Sequence, residues 1–309
     1  MCCGLLGDIL NGPHLFERGL GAIQTILPSV DFVLHHGDIC YADDTLFGVF
    51  HSYEESFNYC QRMMTNITSA KFYMTTVGNH EINCTEVSFL SKYCSSDHKD
   101  QLPYSHRFHM PSKQSNGYSN SWYSFNYAFV HVISLSCESD VASSNRSKTP
   151  WVIVQCHRPW RGSTAVDEVL EGGILNCPSC RAAFEDLLIE YNVDIYLTGH
   201  VHWYERICLK GKSFFLSFHL KEIFLLIFQG TINTTNYVNP DSPVHLTVGS
   251  IGSPEGSSQL YRRSDDSCFL STEPGLGKLT LLNPSYATFT FYRTSDLTII
   301  DQIQIIKER

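Results

Sequence analysis

Four short apolar runs, each followed at once by a polar residue that could bind a metal, constrain the fold of this chain most. The runs occupy residues 31–35, 72–77, 151–156 and 193–198. Apolar runs of this length are typical of buried strands. The residues that follow them are, in chain order, Gly37-Asp38, Gly78-Asn79, His157 and Gly199-His200. The pattern predicts polar chemistry at the carboxyl ends of several strands.

Segments with a helical spacing of apolar residues alternate with these strands. They cover residues 15–27, 52–67 and 180–191. The alternation predicts an α/β fold, and open α/β sheets gather ligands beyond the carboxyl ends of their strands. If the four strands share a sheet, the polar residues converge. Residues 123–135 have the pattern of one antiparallel strand, and the β-rich residues 244–306 predict a second sheet packed on the first.

Seven side chains in these blocks, from distant parts of the chain, could bind metal together. They are Asp8, Asp38, Tyr41, Asn79, His157, His200 and His202. Carboxylate, phenolate, amide and imidazole donors of this kind are enough for two metal ions that share one bridging carboxylate. Asp38 could present one oxygen to each ion. The set predicts metal-activated water and an anionic substrate.

Each motif alone also has a plainer interpretation. Asp38 could belong to an ordinary turn, Asn79 could be a helix N-cap, and His157 could be a hydrogen-bonded core histidine. Because alternate residues of an extended segment point to opposite sides, His200 and His202 could serve two neighbouring ions. His80 follows Asn79 and cannot easily bind the same ion, so it is better placed to hydrogen-bond phosphate or protonate a leaving group.

The charge balance excludes one broad class of function. The formal net charge of −9 argues against a general nucleic-acid binder, which normally carries a basic face. A phosphate substrate stays compatible with this charge, because bound cations reverse the local field. No apolar run reaches the roughly 18 to 20 residues that a membrane span needs.

Cysteines and glycosylation sequons indicate an oxidising compartment. The 309 residues include 12 cysteines, and Cys177 and Cys180 could form a local bridge or two halves of separate ones. Four sequons make candidate glycosylation sites of Asn66, Asn83, Asn145 and Asn233. We expect a secreted or endomembrane, lysosome-like protein. Because no signal peptide precedes Asp8, we expect that the chain lacks its natural beginning.

Taken in order, these blocks resemble the purple acid phosphatases of the metallophosphoesterase (calcineurin-like phosphoesterase) superfamily. The segments that carry the resemblance are Tyr41 after Gly37-Asp38, Gly78-Asn79-His80-Glu81, residues 199–206 and residues 243–250. The resemblance implies an α/β, two-sheet sandwich of αββα type with flanking helices and a β-rich carboxyl-terminal segment. It implies a catalytic core at 1–208, an insertion at 209–236 and a completing segment at 237–309.

The same resemblance implies a binuclear centre. Asp8, Asp38, Tyr41 and His202 would hold Fe(III), and Asp38, Asn79, His157 and His200 would hold a divalent zinc, iron or manganese ion. A metal-held hydroxide would then attack a small phosphomonoester, with His80 as the catalytic residue. The sequence departs from the family in having Leu10 where a glycine is usual, in lacking a helix near 140–146, and in the apolar stretch 211–230.

Two other functions fit the same residues. The metal set barely constrains the leaving group, so a phosphodiesterase or nucleotide pyrophosphatase on this scaffold is one alternative. The departures from the family motivate another, a catalytically inactive glycoprotein of the same fold. The sequence leaves the natural substrate, the divalent ion and the oligomeric state open.

Overall fold

The computed structural model describes residues 15–44, 52–85, 91–138, 149–166, 177–208 and 236–308. Several predictions concern residues outside these ranges: Asp8, Leu10, Asn145, Asn233, the stretch near 140–146 and the apolar stretch 211–230. The proposed domain boundaries at 208/209 and 236/237 also stay predictions.

Helices and strands alternate through the first part of the described chain, as the apolar pattern predicts. The helices are α1 Leu15–Ile26, α2 Tyr53–Met63, α3 Thr65–Thr68, α4 Leu102–Arg107 and α5 Pro178–Glu190. The strands are β1 Phe32–His35, β2 Phe72–Thr75, β3 Tyr123–Tyr127, β4 Val130–Ser134, β5 Trp151–Gln155, β6 Thr164–Ala165, β7 Ile195–Thr198, β8 Tyr204–Ile207, β9 Asn236–Val238, β10 Val244–Val248, β11 Leu260–Arg262, β12 Ser267–Ser271, β13 Gly275–Asn283, β14 Tyr286–Arg293 and β15 Ile299–Ile306.

Local residue chemistry explains where the main helices begin. Ser52 and Glu55 form a reciprocal capping box at the start of α2. Pro178 occupies the first turn of α5, where its missing N–H costs nothing, and the Cys177 sulfur accepts the N–H of Cys180. The segment predicted as one helix at 52–67 divides after Met63 into α2 and α3.

The largest sheet has seven strands in the order β12-β8-β10-β7-β5-β4-β3. Its centre, β4, β5, β7 and β10, is parallel, whereas β3, β8 and β12 pair antiparallel at the edges. The segment 123–135, predicted as one strand, is a hairpin of β3 and β4 that turns at Ala128, whose φ is 48°. β10 and β12 from the carboxyl-terminal segment pair within this sheet.

A second layer packs on this sheet. It contains the sheet β13-β14-β15-β9 and the parallel pair β1-β2. The core between the layers includes Phe289, Phe291 and Ile303 from the second layer and Ile195 and Leu246 from the first. The convergence argument assumed that the four motif strands share one sheet. In the described structure, β1 and β2 instead lie in a different sheet from β5 and β7 and face them across the sandwich.

Helices cover both outer faces and complete the predicted αββα arrangement. Phe184 and Leu188 of α5 pack against Tyr196, which alternates along β7 with the inward-facing Ile195. Helices α1 and α2 bury Phe16 and Phe57 on the opposite side, in a cluster that includes Val33 of β1. Within the described ranges, no helix has the length and apolar character needed to cross a membrane.

Side-chain bonds join the two layers where the motif strands end. Thr76, just after β2, donates its hydroxyl to the carbonyl of Leu135 after β4 at 2.8 Å. His36, after β1, contacts Gln155 of β5 through Nδ1 and Oε1 at 3.1 Å. These links between layers bring the carboxyl ends of β1, β2, β5 and β7 to one place.

Candidate metal centre

The loop after β1 presents Asp38 through a sharp backbone turn. Gly37 has a φ of +84°, and a Cβ there would lie 2.6 Å from the backbone nitrogen of Gly78 and 2.7 Å from Nδ1 of His157. Only glycine permits this approach. Asp38 itself adopts a φ of 53°, a region that aspartate tolerates better than most residues. The turn therefore needs a glycine at position 37 and is compatible with an aspartate at position 38.

The buried carboxylate of Glu81 joins the loop after β1 to the loop after β2. It accepts backbone N–H groups from Asp38 at 2.8 Å, Ile39 at 2.7 Å and Gly78 at 2.9 Å. Burial raises the pKa of Glu81, and the neighbouring charge of Asp38 raises it further. The sequence identified Glu81 only as the last residue of the Gly78-Asn79-His80-Glu81 segment. Its actual contacts are with a loop 42 to 43 residues away.

One group of donor atoms meets around the Asn79 amide. Its Oδ1 lies 2.7 Å from Nε2 of His157 and 3.0 Å from Nδ1 of His200. The same Nε2 lies 3.1 Å from Oδ2 of Asp38. Asp38, His157 and His200 form a cluster whose ligand atoms are close enough for one metal ion. Asn79 is thus not the N-cap of the short turn Asn79–Glu81, whose N-cap is Gly78.

A second group lies on the other side of Asp38. The Tyr41 hydroxyl is 2.9 Å from Nε2 of His202 and 3.5 Å from the same Oδ2 of Asp38. One carboxylate oxygen therefore faces both groups. Asp38, Tyr41, His157 and His202 are all at least 95% buried, so the two groups form a largely enclosed centre.

The two histidines of Gly199-His200-Val201-His202 enter different groups, but not through the predicted extended geometry. His200 has a φ of 63°, and backbone bonds run from Val201 N–H to Gly199 and from Trp203 N–H to Val201. The segment is a succession of tight turns after β7. These turns, and not the pleat of a strand, separate the two imidazoles.

Charges within the centre oppose the effect of burial. Burial favours a neutral Asp38, but His157 and His80 outweigh it and hold the pKa of Asp38 well below its usual range. Burial likewise lowers the pKa of His157, but the Asp38 carboxylate more than offsets this and raises it above its ordinary value. Burial, reinforced by Arg158, lowers the pKa of His200, so its imidazole is neutral.

His80 lies beside the centre and belongs to neither donor group. Its Nδ1 is 2.9 Å from Oδ1 of Asp43, and its ring packs on Tyr41 with centroids 3.8 Å apart. Its backbone N–H donates to Oδ1 of Asp38 at 3.3 Å. Sequence reasoning missed Asp43. The signal that could have indicated Asp43 is its position two residues after Tyr41, in the turn Ala42–Asp44.

Half-buried side chains line one side of the centre. Asn79 and His200 are half-buried, as are Arg158 and Glu138 beside them. The Arg158 Nη1 atom lies 2.9 Å from Nε2 of His200, and its Nε donates to Oε1 of Glu138 at 2.6 Å. We call these four side chains the rim. Arg158 directly follows the predicted ligand His157 in the sequence, whereas no motif singled out Glu138.

Of the seven predicted ligands, the structure brings six together, and Asp8 lies outside the described residues.

Asn66 is exposed on α3, whereas Asn83 is half-buried next to a bridged cysteine. The disulfides among the described cysteines are Cys40–Cys60, Cys84–Cys94, Cys137–Cys156, Cys177–Cys180 and Cys208–Cys268. Cys177 and Cys180 therefore form the local bridge, one of the two possibilities left open.

Comparison with known proteins gives matches along most of the chain. The calcineurin-like phosphoesterase family matches residues 4–204, and the iron/zinc purple acid phosphatase-like protein C family matches residues 242–302. An acid phosphatase of Aspergillus ficuum is 26% identical over 82% of this chain and 52% of the relative. Purple acid phosphatase 22 of Arabidopsis thaliana is 29% identical over 86% of this chain and 55% of the relative.

The comparison with solved structures also finds a purple acid phosphatase. The purple acid phosphatase PPD1 from yellow lupin seeds aligns with a TM-score of 0.72 and 26% identity, over 95% of this chain and 49% of that one. GAP50, an anchor in the inner membrane complex of Plasmodium, shares the fold alone, with a TM-score of 0.54 and 13% identity over 100% of this chain and 88% of that one. The chain spans about half the length of the first curated relatives it matches, 52% and 62% of them. Because the first family match covers more than half of the chain, this chain belongs to the calcineurin-like phosphoesterase family and carries the carboxyl-terminal segment of its purple acid phosphatases.

Proposed function

We propose that this chain is an acid phosphatase that hydrolyses small phosphomonoesters at a binuclear centre of Fe(III) and a divalent zinc, iron or manganese ion. The observation that carries the proposal is the position of Asp38, whose Oδ2 lies 3.1 Å from His157 and 3.5 Å from Tyr41. One oxygen thereby belongs to two donor groups. A carboxylate in this position can bridge two ions through a single oxygen, in place of the predicted arrangement with one oxygen for each ion.

The donor atoms have the spacing that metal ligands need. Ligands that lie about 2.0 to 2.2 Å from a zinc ion are about 3.3 to 3.6 Å apart in a tetrahedral site and about 2.8 to 3.1 Å apart in an octahedral one. The contacts of Asn79 with His157 at 2.7 Å and His200 at 3.0 Å are close to the octahedral spacing. A neutral amide oxygen with two imidazoles suits a divalent ion, whereas a carboxylate with the phenol of Tyr41 suits a harder, trivalent one. We assign Asp8 to the trivalent ion as a prediction from the sequence.

When bound, the two ions would lower the pKa of a water and offset charge on the phosphoryl oxygens. The chain itself orients the groups around them. The carbonyl of His36 accepts Nδ1–H of His157 at 2.6 Å and so directs Nε2 of His157 towards Asp38. Asp43 holds Nδ1 of His80, and this orientation assigns proton transfer to the departing ester oxygen to Nε2 of His80.

The test is metal analysis and turnover of the purified chain. We expect bound iron with a second metal, a visible absorption band from the Tyr41 phenolate, and release of p-nitrophenol from the monoester at acidic pH. Turnover of the bis-ester in preference to the monoester would favour the phosphodiesterase alternative. Near-zero bound iron would overturn the proposed centre, and stoichiometric metal without turnover would support the inactive glycoprotein.

We also infer that the chain matures in an oxidising, secretory or endomembrane compartment. The five disulfides among the described cysteines support this inference. The exposed position of Asn66 makes it a more accessible glycosylation candidate than the half-buried Asn83. Glycosidase treatment of the expressed chain should increase its gel mobility. An Asn66→Gln variant with an unchanged shift would remove that site from the assignment.

A further inference from the structure

The rim contains a guanidinium whose role the proposed metal centre does not explain. Arg158 follows His157 directly, and 27% of its side chain is exposed. Its Nη1 lies 2.9 Å from Nε2 of His200, while Nδ1 of the same ring faces Asn79 at 3.0 Å. A fixed positive charge is therefore one imidazole ring away from the atoms proposed to hold a cation. Such a position is unfavourable for metal binding unless an anion also binds there.

Glu138 holds this guanidinium in one orientation. Its Oε1 accepts from Nε of Arg158 at 2.6 Å and its Oε2 from Nη2 at 3.4 Å. The disulfide Cys137–Cys156 links the residue before Glu138 to the residue before His157. The ion pair and the ligand strand are thus tied together. This constraint lowers the entropy cost of keeping the long arginine side chain at the rim.

The two contacts of Arg158 differ in strength. The bonds to Glu138 are charge-assisted, whereas the contact of Nη1 is with a neutral ring nitrogen of His200. A phosphoryl oxygen is a stronger acceptor than that nitrogen, because its bond to the guanidinium is charge-assisted. Nη1 is therefore the donor that an anionic ligand can take over while Glu138 keeps the side chain in place.

Burial indicates one side from which a ligand can reach the centre. Asp38, Tyr41, His157 and His202 are buried, whereas the four side chains of the rim are half-buried. A phosphoester that enters past the rim comes within reach of Arg158. We propose that Arg158 binds a phosphoryl oxygen of the substrate through Nη1, with Glu138 as its positioning residue. This proposal rests on the proposed phosphatase function.

A matched control lies three residues further along the chain. Arg161 is also partly exposed, at 23%, and also paired with a carboxylate, through Nε and Oε1 of Glu185 at 2.7 Å. Its second partner is Asp266, at 3.7 Å. Arg161→Ala removes the same charge from the same loop without touching the rim. Comparing the Arg161→Ala and Arg158→Ala variants distinguishes the loss of a local phosphate contact from a general change in the electrostatic field.

The experiment measures inorganic phosphate as a competitive inhibitor of p-nitrophenyl phosphate hydrolysis, and as a ligand by calorimetry, in the metal-loaded full chain. For Arg158→Ala we expect about a 10-fold rise in KM and in the phosphate inhibition constant, with kcat reduced less and metal content unchanged. Arg158→Lys should recover part of the affinity, because the charge remains but the planar fork is lost. Glu138→Gln should weaken phosphate binding by a smaller factor.

Unchanged phosphate affinity in Arg158→Ala, or an equal loss in Arg161→Ala, would overturn the proposal. Loss of metal from both Arg158→Ala and Arg158→Lys would also overturn it, since Arg158 would then act by positioning His200. These results are distinct from failure of the proposed function. That failure would appear as a metal-loaded wild-type chain that hydrolyses no phosphomonoester.

Discussion

The carbonyl oxygen of His36 accepts the Nδ1–H of His157 at 2.6 Å, across the two layers of the sandwich. His36 follows β1 and His157 follows β5, so this bond, together with the His36–Gln155 contact, connects the ends of strands that share no described sheet. The bond turns Nε2 of His157 towards Asp38. A backbone acceptor does this without adding another charge to the buried centre.

Replacing Asp38 or His202 should remove metal and activity together. We expect Asp38→Asn and His202→Ala each to reduce turnover by at least about 100-fold and to abolish visible colour, because each side chain belongs to a donor group. Iron content, the absorption spectrum and p-nitrophenyl phosphate turnover check this. Wild-type turnover in Asp38→Asn would show that the bridging role of Asp38 is wrong.

His80 should affect the chemical step and not metal binding. We expect His80→Ala to lower kcat about 100-fold while both metals stay bound, which is the size of effect typical of a lost general acid. Asp43→Asn, which weakens the hold on Nδ1 of His80, should cost less. Metal analysis of both variants accompanies the kinetics. If His80→Ala loses a metal ion, the histidine belongs to the coordination shell.

Glu81 should contribute to stability as well as to the centre. Glu81→Gln leaves a neutral amide facing the three backbone donors of Asp38, Ile39 and Gly78, and one of its terminal atoms is no longer an acceptor. We expect a loss of about 2 kcal/mol in the free energy of unfolding and a lower metal content. Glu55→Gln, in the exposed capping box of α2, is the control and should cost less than about 1 kcal/mol.

Denaturant unfolding of these two variants and the wild type measures the difference. The effect of Glu81→Gln should exceed that of Glu55→Gln. Equal effects would mean that the bonds of Glu81 to the two loops add nothing beyond an ordinary helix cap.

His245 should make the fold less stable in acid. Burial, reinforced by Arg161, lowers the pKa of His245 to about 3 in the folded chain. An unfolded histidine titrates near pH 6.5, so the unfolded state binds more protons between these values and stability falls as the pH drops below about 6.5. At pH 4 the loss relative to neutral pH is on the order of 3 kcal/mol.

Unfolding free energies at pH 7 and pH 4 test this contribution. His245→Gln has no such titration, so its stability should fall less between the two pH values than that of the wild type, even if it is less stable at pH 7. Parallel losses in the two proteins would show that His245 is not the group responsible.

Some features could be read from the sequence because they depend on neighbouring residues. The apolar runs predicted the strands that carry Asp38 and His157, and the donor chemistry of the side chains predicted a shared centre. The order of the motifs carried the resemblance to a family, and the resemblance implied the αββα fold. Predictions from local patterns were wrong where the backbone turns within a segment. This is the case at Ala128, in the β3–β4 hairpin that was predicted as one strand, and at His200, where an extended segment was predicted.

The sequence by itself determined which side chains are available to the centre, because residue type sets the donor atoms and apolar periodicity sets the strands. Only the tertiary structure decided how they are held. Glu81 bonds to a loop 42 to 43 residues away, Asp43 reaches His80 over 37 residues, and Arg158 pairs with Glu138 over 20. These contacts join loops that follow neighbouring parallel strands, β1 with β2 and β4 with β5. They depend on how distant segments pair within each sheet, and no local spacing in the chain encodes that pairing.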